Sequence, residues 1–452
     1  MNELLHEAAR RAQLYVSNAN RRRVAPGPEQ LALLEKLAGP LPDEPTAARE
    51  VLALLDDYGS PATVGSTGGR YFGFVTGGSL PAALGANWLA AAWDQNVTFR
   101  VMSPVAAQLE EIALGWLREL FRLGPECGCG FVTGATMANF AGLTAARHAL
   151  LARAGWNVED RGLFGAPEIK VVVGAEVHVS LLKALSLAGF GKTRLTTVPV
   201  DGQGRMRADS LPALDNMTLV SIQAGNVNTG AFDPATVICA RAHKAGSWVH
   251  VDGAFGLWAA AAPTRAHLAA GVAEADSLAT DCHKWLNVPY DCGLAFVQDG
   301  THLRDAMTLN AAYLQTTIAR EPGQYTPESS RRARGVEVWA ALRSLGRKGL
   351  AELIERNCRQ AATFAEGLRK AGFTILNDVV LNQVLVSFGT AAQTQRVIEE
   401  VQKDGTCWCG GTQWQGHTAM RISVSSWATT DDDVQQSLDA ILRLARGVLP
   451  AK

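Results

Sequence analysis

Residues 248–256, WVHVDGAFG, and residues 277–297, SLATDCHKWLNVPYDCGLAFV, decide the fold class of this chain. Trp248-Val249-His250-Val251 and Gly293-Leu294-Ala295-Phe296-Val297 are short apolar runs. Runs of that length, closed by Gly or Asp, read as strands buried on both faces. Lys170–Gly174 and Leu219–Ile222 have the same character, and the helical stretches Met137–Ala152 and Val179–Ala188 lie among them. Strands alternating with helices predict an α/β fold around a mostly parallel sheet. Ligands of such sheets sit beyond the carboxyl ends of the strands, so polar residues just after the runs are the first candidates for chemistry.

Four such places stand out. Lys284 follows a histidine and is set among Trp285, Leu286, Val288, Pro289 and Tyr290. An apolar setting lowers the pKa of an amine, which makes this lysine a candidate Schiff-base former; a lysine whose stem covers apolar surface gives the same pattern. Asp252 closes the strand of the first stretch, where a carboxylate could hold a ligand cation or a metal, or cap a helix. Phe131–Asn139, FVTGATMAN, reads as strand, small-residue turn and helix start, whose free amides and positive dipole end suit a phosphate. His178, in EVHVS, directly follows the Val171–Val173 run, where a hydrogen-bonded structural histidine is the commoner reading. In chain order these residues supply a phosphate seat, a ring that could stack, a carboxylate and an amine. Pyridoxal 5'-phosphate needs all four.

Outward from this region the texture changes twice. Residues 1–75 are helical in pattern and broken by prolines at 26, 28, 40, 43 and 45, so they predict an N-terminal arm that must pack on the body or on a second copy. Residues 76–350 form the large domain. Residues 351–452, with a helix over 353–371, strands near 374–376, 384–388 and 420–424, and a helix over 394–404, predict a small C-terminal α+β domain.

The chain has 452 residues and a formal net charge of -1, with 47% hydrophobic and 19% charged residues. That composition suits a large buried core and supplies no basic field for nucleic acid or an anionic membrane. No apolar stretch is long enough to span a bilayer, and the opening MNELLHEAARR lacks the pattern of a secretion signal. We expect a cytoplasmic protein. The cysteine pairs Cys127/Cys129 and Cys407/Cys409 lack the spacing and neighbours of a zinc site, so no metal is expected.

The motifs HVDGAFG, DCHKWLNVPYDCG and SRRARGVEVWAALRSLG together resemble those of the pyridoxal-phosphate-dependent group II amino-acid decarboxylases, from about Tyr71 to the C-terminus. The resemblance implies the aspartate-aminotransferase fold (fold type I), with a mostly parallel seven-stranded sheet, an intertwining N-terminal arm and a small C-terminal domain. It also implies a homodimer with its sites at the interface. Carried over, Lys284 matches the lysine that binds the cofactor aldehyde, His283 a phosphate contact, and Asp252 the partner of the pyridine nitrogen. Ala254 matches a residue under the ring, and His178 the histidine stacked on its other face. Gly134, Ala135 and Thr136 match the phosphate loop, and Asn226 stands near the cofactor where relatives often carry Thr. Phe74 and Thr76 fall where the family lines its substrate pocket. Relatives place a proton-donating tyrosine before the motif that holds Arg331; here Tyr325 is the candidate, about three residues closer than usual, with His178 as the other possible donor.

The expected activity is decarboxylation of an L-amino acid to the amine and CO2, an aromatic substrate being favoured. An acidic-amino-acid decarboxylase, an aminotransferase or an aldehyde-forming oxidase on the same fold is the alternative. An acidic substrate would need a side-chain cation, for which Arg100 and Arg421 are the candidates.

Overall fold

The computed structural model describes residues 1–308 and 320–449. The chain divides into two compact units, residues 79–359 with 377–383, and residues 1–78 with 360–376 and 384–452.

The first unit is built on seven strands: β1 (Gly128–Val132), β2 (Lys170–Gly174), β3 (Leu195–Val198), β4 (Thr218–Gln223), β5 (Trp248–Asp252), β6 (Ser277–Asp281) and β7 (Gly293–Val297). They lie in the order β1-β7-β6-β5-β4-β2-β3. β7 is antiparallel to both neighbours and the other pairings are parallel, so the mostly parallel seven-stranded sheet expected from the resemblance is present. Every residue of β1, β5, β6 and β7 is buried, which is why Trp248–Val251 and Gly293–Val297 read as short apolar runs. β3 lies at the sheet edge with Leu195 to Thr197 partly exposed or exposed, and the apolar-run reading passed it over. Helix α1 (Ala135–Arg153) leaves β1 and buries Ala, Gly and Leu residues along most of its length. Helix α2 (Val179–Leu187) follows β2. The parallel strands end on one side, so Gly134, His178, Asn226, Asp252 and Asp281 all stand at or just past the same edge.

Arg331, in the SRRARG motif, locks this unit internally. Its guanidinium meets Glu110 with both nitrogens, at 2.8 and 3.1 Å, and donates to the Phe131 carbonyl of β1 at 3.3 Å. Gly335 leaves room for that acid, since a Cβ there would lie 2.5 Å from Glu110 Cγ.

The second unit carries a four-stranded sheet in the order β10-β11-β9-β8, from β8 (Thr374–Ile375), β9 (Gln383–Ser387), β10 (Gly410–Trp414) and β11 (His417–Ser423). Residues 1–78 share this unit with 360–376 and 384–452, while 351–359 and 377–383 fall in the first unit. The backbone explains the sharing: Trp408 N–H donates to Arg70 O at 3.1 Å and Phe72 N–H to Trp408 O at 2.8 Å. The helices Asn2–Ser17, Pro28–Ala32 and Ala48–Leu54 bury no residue. Among the described residues, no helix is long and apolar enough to cross a membrane.

Candidate active site

Two adjacent strand ends carry the central pair. Gly253 N–H donates to Ala279 O at 2.9 Å, Thr280 Oγ1 to Gly253 O at 2.8 Å, and Asp281 N–H to Ala254 O at 2.8 Å. These bonds stitch the turn after Asp252 to the turn that ends in Lys284. Lys284 Nζ lies 3.0 Å from Asp281 Oδ2, and its side chain is only 18% exposed. The sequence suggested an apolar setting for this amine; the fold adds a carboxylate to it. Trp285, directly after the lysine, is fully buried and its indole N–H donates to Asn357 Oδ1 at 3.0 Å, which anchors the turn.

The start of α1 forms an oxyanion seat. Asp281 Oδ1 accepts from Ala135 N–H at 2.5 Å. Ala138 N–H is taken by Gly134 O at 2.9 Å. Among the described residues the amides of Thr136 and Met137 have no acceptor. His283 completes the set. Its Nδ1 accepts from Cys292 N–H at 3.2 Å, which leaves the proton on Nε2, 3.5 Å from Asp281 Oδ1. Burial lowers the pKa of this imidazole against the opposing pull of Asp281, and its ring stacks on Tyr290 at 4.3 Å. A Cβ on Gly134 would come within 3.2 Å of His283 Cε1 and 3.3 Å of Asp281 Oδ1, so the absence of a side chain keeps the seat open. Unclaimed amides, a neutral imidazole N–H and a position that already draws a carboxylate fit a phosphate group. An amine and a second carboxylate one strand away fit the rest of pyridoxal phosphate.

Asp252 is 5% exposed, accepts from Ala254 N–H at 3.2 Å, and receives the Asn139 amide at 3.2 Å on its other oxygen. His178 caps α2, its Nδ1 accepting from Ser180 N–H at 3.2 Å. The same strand ends hold it: Gln223, the register partner of Asp252, donates its side-chain amide to Glu176 O at 2.7 Å, two residues before His178. Asn226 is buried and uses its side-chain oxygen to accept from Asn228 N–H at 2.9 Å and Thr229 N–H at 3.3 Å, so it shapes its own loop.

Tyr325 is not brought to this end of the sheet. Its ring lies under the Arg320 guanidinium at 4.5 Å and packs on the core beside the start of β1, where a Cβ on Gly128 would be 3.4 Å from Tyr325 Cε1. The loop whose spacing suggested a proton donor begins at Thr317, and residues 317–319 lie outside the described ones. Arg100 is likewise engaged, 2.6 Å from Glu111.

Phe74 and Thr76 belong to the other unit. Phe74 is 64% exposed and stacks on Trp408 at 5.4 Å, with Tyr71 on the same indole at 5.2 Å; Thr76 is buried. Arg421 in β11 finds no acidic partner among the described residues, and burial holds its guanidinium below the usual arginine range. Sequence reasoning missed Asp281, Asn139 and Trp408. For Asp281 a signal existed, because it ends a strand as Asp252 does.

Comparison with known proteins agrees with this geometry. Residues 44–390 match the pyridoxal-dependent decarboxylase conserved domain. Tryptophan decarboxylase 1 of Oryza sativa is 27% identical over 414 residues, spanning 82% of this chain and 79% of that protein. The acidic amino acid decarboxylase GADL1 of Bos taurus is 28% identical over 323 residues, spanning 68% of this chain and 61% of that one. In structure, Oryza sativa TDC, solved with PLP and tryptamine, superposes with a TM-score of 0.90 at 22% identity, covering 99% of this chain and 97% of that one. The chain belongs to the pyridoxal-dependent decarboxylase family and is a carboxy-lyase that works on amino acids with pyridoxal phosphate.

Proposed function

We propose that the enzyme decarboxylates an aromatic L-amino acid, that Lys284 bonds the cofactor aldehyde, and that Asp252 faces the pyridine nitrogen. The observation that carries the assignment is the direct stitching of residues 253–254 to 279–281, with the Lys284 amine drawn to Asp281 at 3.0 Å. Bound pyridoxal phosphate supplies an electron sink for the pair released when a bond at Cα breaks. The chain's own residues do the rest. Gly134, Ala135 and Thr136 with His283 Nε2–H would hold the phosphate, and Ala254 would lie under the ring. The Asp252 carboxylate would keep a proton on the ring nitrogen, and Asp281 would hold the Lys284 amine when that amine is free. His178 carries its proton on Nε2, because Nδ1 accepts from Ser180 N–H. That makes His178, and not Tyr325, the donor to Cα in this proposal.

Aromatic preference is supported by the exposed face of Phe74 on Trp408 and by the engagement of Arg100 with Glu111, which withdraws one cation that an acidic side chain would need. Lys284→Ala is expected to abolish turnover and leave the cofactor without its covalent absorbance band; normal CO2 release by that variant refutes the assignment. A panel of L-amino acids assayed for CO2, aldehyde and hydrogen peroxide tests the rest, and glutamate as the best substrate would overturn the aromatic part.

The working form in this proposal is a cytosolic homodimer. Helix Asn2–Ser17 buries nothing, while Leu5, Leu14 and Val16 are 57%, 56% and 47% exposed, an apolar surface that a second copy would cover. Light scattering should give twice the 48.1 kDa chain mass. A fully active monomer refutes the dimer. All eight cysteines are free and buried, as suits a reducing compartment.

A further inference from the structure

Behind Asp252 runs a buried chain of hydrogen bonds whose direction is fixed by chemistry. Trp248, His250 and Asp252 alternate along β5 and so project from the same face of the sheet. The Trp248 indole N–H, which can only donate, reaches Ser277 Oγ at 2.9 Å. Ser277 is the register partner of His250, and its oxygen lies 2.8 Å from His250 Nδ1. A hydroxyl oxygen can accept twice, so the direction is set from the other end: the Asp252 carboxylate accepts from the Asn139 amide, which leaves Asn139 Oδ1 as an acceptor for His250 Nε2 and the Ser277 hydrogen for Nδ1. The imidazole proton therefore resides on Nε2, 2.9 Å from Asn139 Oδ1. The Asn139 amide nitrogen lies 3.2 Å from Asp252 Oδ2. All five side chains are at most 5% exposed. Burial holds His250 neutral, its pKa lowered to about 3, so the chain carries no second charge. Gly142 makes room for the ring: a Cβ there would lie 2.8 Å from His250 Cε1 and 2.9 Å from Nδ1.

We propose that Asn139, His250 and Ser277 are positioning residues that orient the Asp252 carboxylate and keep it ionised, with Trp248 as the terminal donor. The inference rests on the reading that Asp252 faces the cofactor's ring nitrogen, and deepens it. A carboxylate that loses a donor binds a proton more tightly. If the relay is broken, the proton shared with the ring nitrogen moves toward Asp252, and the electron sink weakens.

The test uses enzyme loaded with pyridoxal phosphate labelled with 15N in the ring, and two readouts. In protein labelled with 15N-histidine, long-range proton–nitrogen spectra should show His250 as the Nε2–H tautomer; the Nδ1–H tautomer overturns the proposal with no variant needed. Asn139→Leu and Ser277→Ala should move the ring-nitrogen shift toward its unprotonated value and lower kcat about tenfold for Asn139→Leu with KM unchanged, the scale of one hydrogen bond to a charged group. Asn139→Ser serves if the leucine variant does not fold. Lower thermal stability with an unmoved ring-nitrogen shift refutes the positioning role. Asp252→Asn separates the premises: a shift that ignores this substitution sinks the reading of Asp252 itself. A shift that answers Asp252→Asn but ignores the Asn139 and Ser277 variants sinks only the relay.

Discussion

Glu110→Ala should be among the most damaging single substitutions outside the site. Glu110 is fully buried and the Arg331 side chain is 1% exposed, so both charges of their two-pronged pair have left water. Arg320 Nη1 lies a further 3.5 Å from Glu110 Oε2. Removing the acid leaves the Arg331 guanidinium with the Phe131 carbonyl at 3.3 Å as its acceptor among the described residues. Arg320 is better placed, being 13% exposed and bonded to Cys129 O at 2.5 Å. Stranding one buried charge costs about 3–5 kcal/mol, a large share of the roughly 5–15 kcal/mol that holds a folded protein together. Phe131 leads into the Gly134 turn, so weaker retention of pyridoxal phosphate should accompany the loss. Urea unfolding followed by circular dichroism, with cofactor retention after dialysis, measures both effects. The double variant Glu110→Leu/Arg331→Met removes both charges and should recover all but about 1 kcal/mol, since buried pairs are often replaceable by apolar residues. A single variant that loses less than about 1 kcal/mol, or a double variant as unstable as the single, would show that the stranded charge is not what matters.

Three further outcomes are expected. Because burial lowers the pKa of His250 to about 3 from the ordinary 6.5, the unfolded chain takes up a proton there before the folded one does. That contribution to stability is intact above pH 6.5 and drains away toward pH 3, by about 1.4 kcal/mol per pH unit at most; His250→Gln should flatten acid unfolding over that window, and an unchanged profile would refute the burial argument. Gly142→Ala gains about 1 kcal/mol of helix propensity but forces a methyl against the doubly bonded His250 ring, where overpacking costs about 1–3 kcal/mol, so a net loss in unfolding midpoint is expected. Phe74→Ala should raise KM for aromatic substrates severalfold with kcat little changed, and equal KM values for variant and parent would remove Phe74 from the substrate surface.

Much of the site could be read before folding because its signals are local. An apolar run followed by Asp252, a small-residue turn at Gly134–Thr136, and Lys284 in DCHKW each announce their element within a few residues. Strand burial on both faces makes the pattern continuous, and ligand chemistry at carboxyl ends follows from the parallel sheet. Tyr325 shows where local reading fails. Its position in the chain suggested a proton donor, but the fold packs the ring beside β1 under Arg320, a placement set by contacts distant in the chain.

The sequence by itself determined the α/β class, the order of strands and helices in the central region, and the candidate residues for a cofactor site, since periodicity and motif spacing are properties of neighbouring residues. Only the tertiary structure decided that Asp281 bridges the Lys284 amine and the Ala135 amide, that Glu110 anchors Arg331, and that Trp248, Ser277, His250 and Asn139 converge on Asp252. Apart from the Asp281–Lys284 contact, which lies within one turn, those partnerships join segments distant in the chain, and they depend on sheet register and helix rotation, which the packing of the whole core fixes.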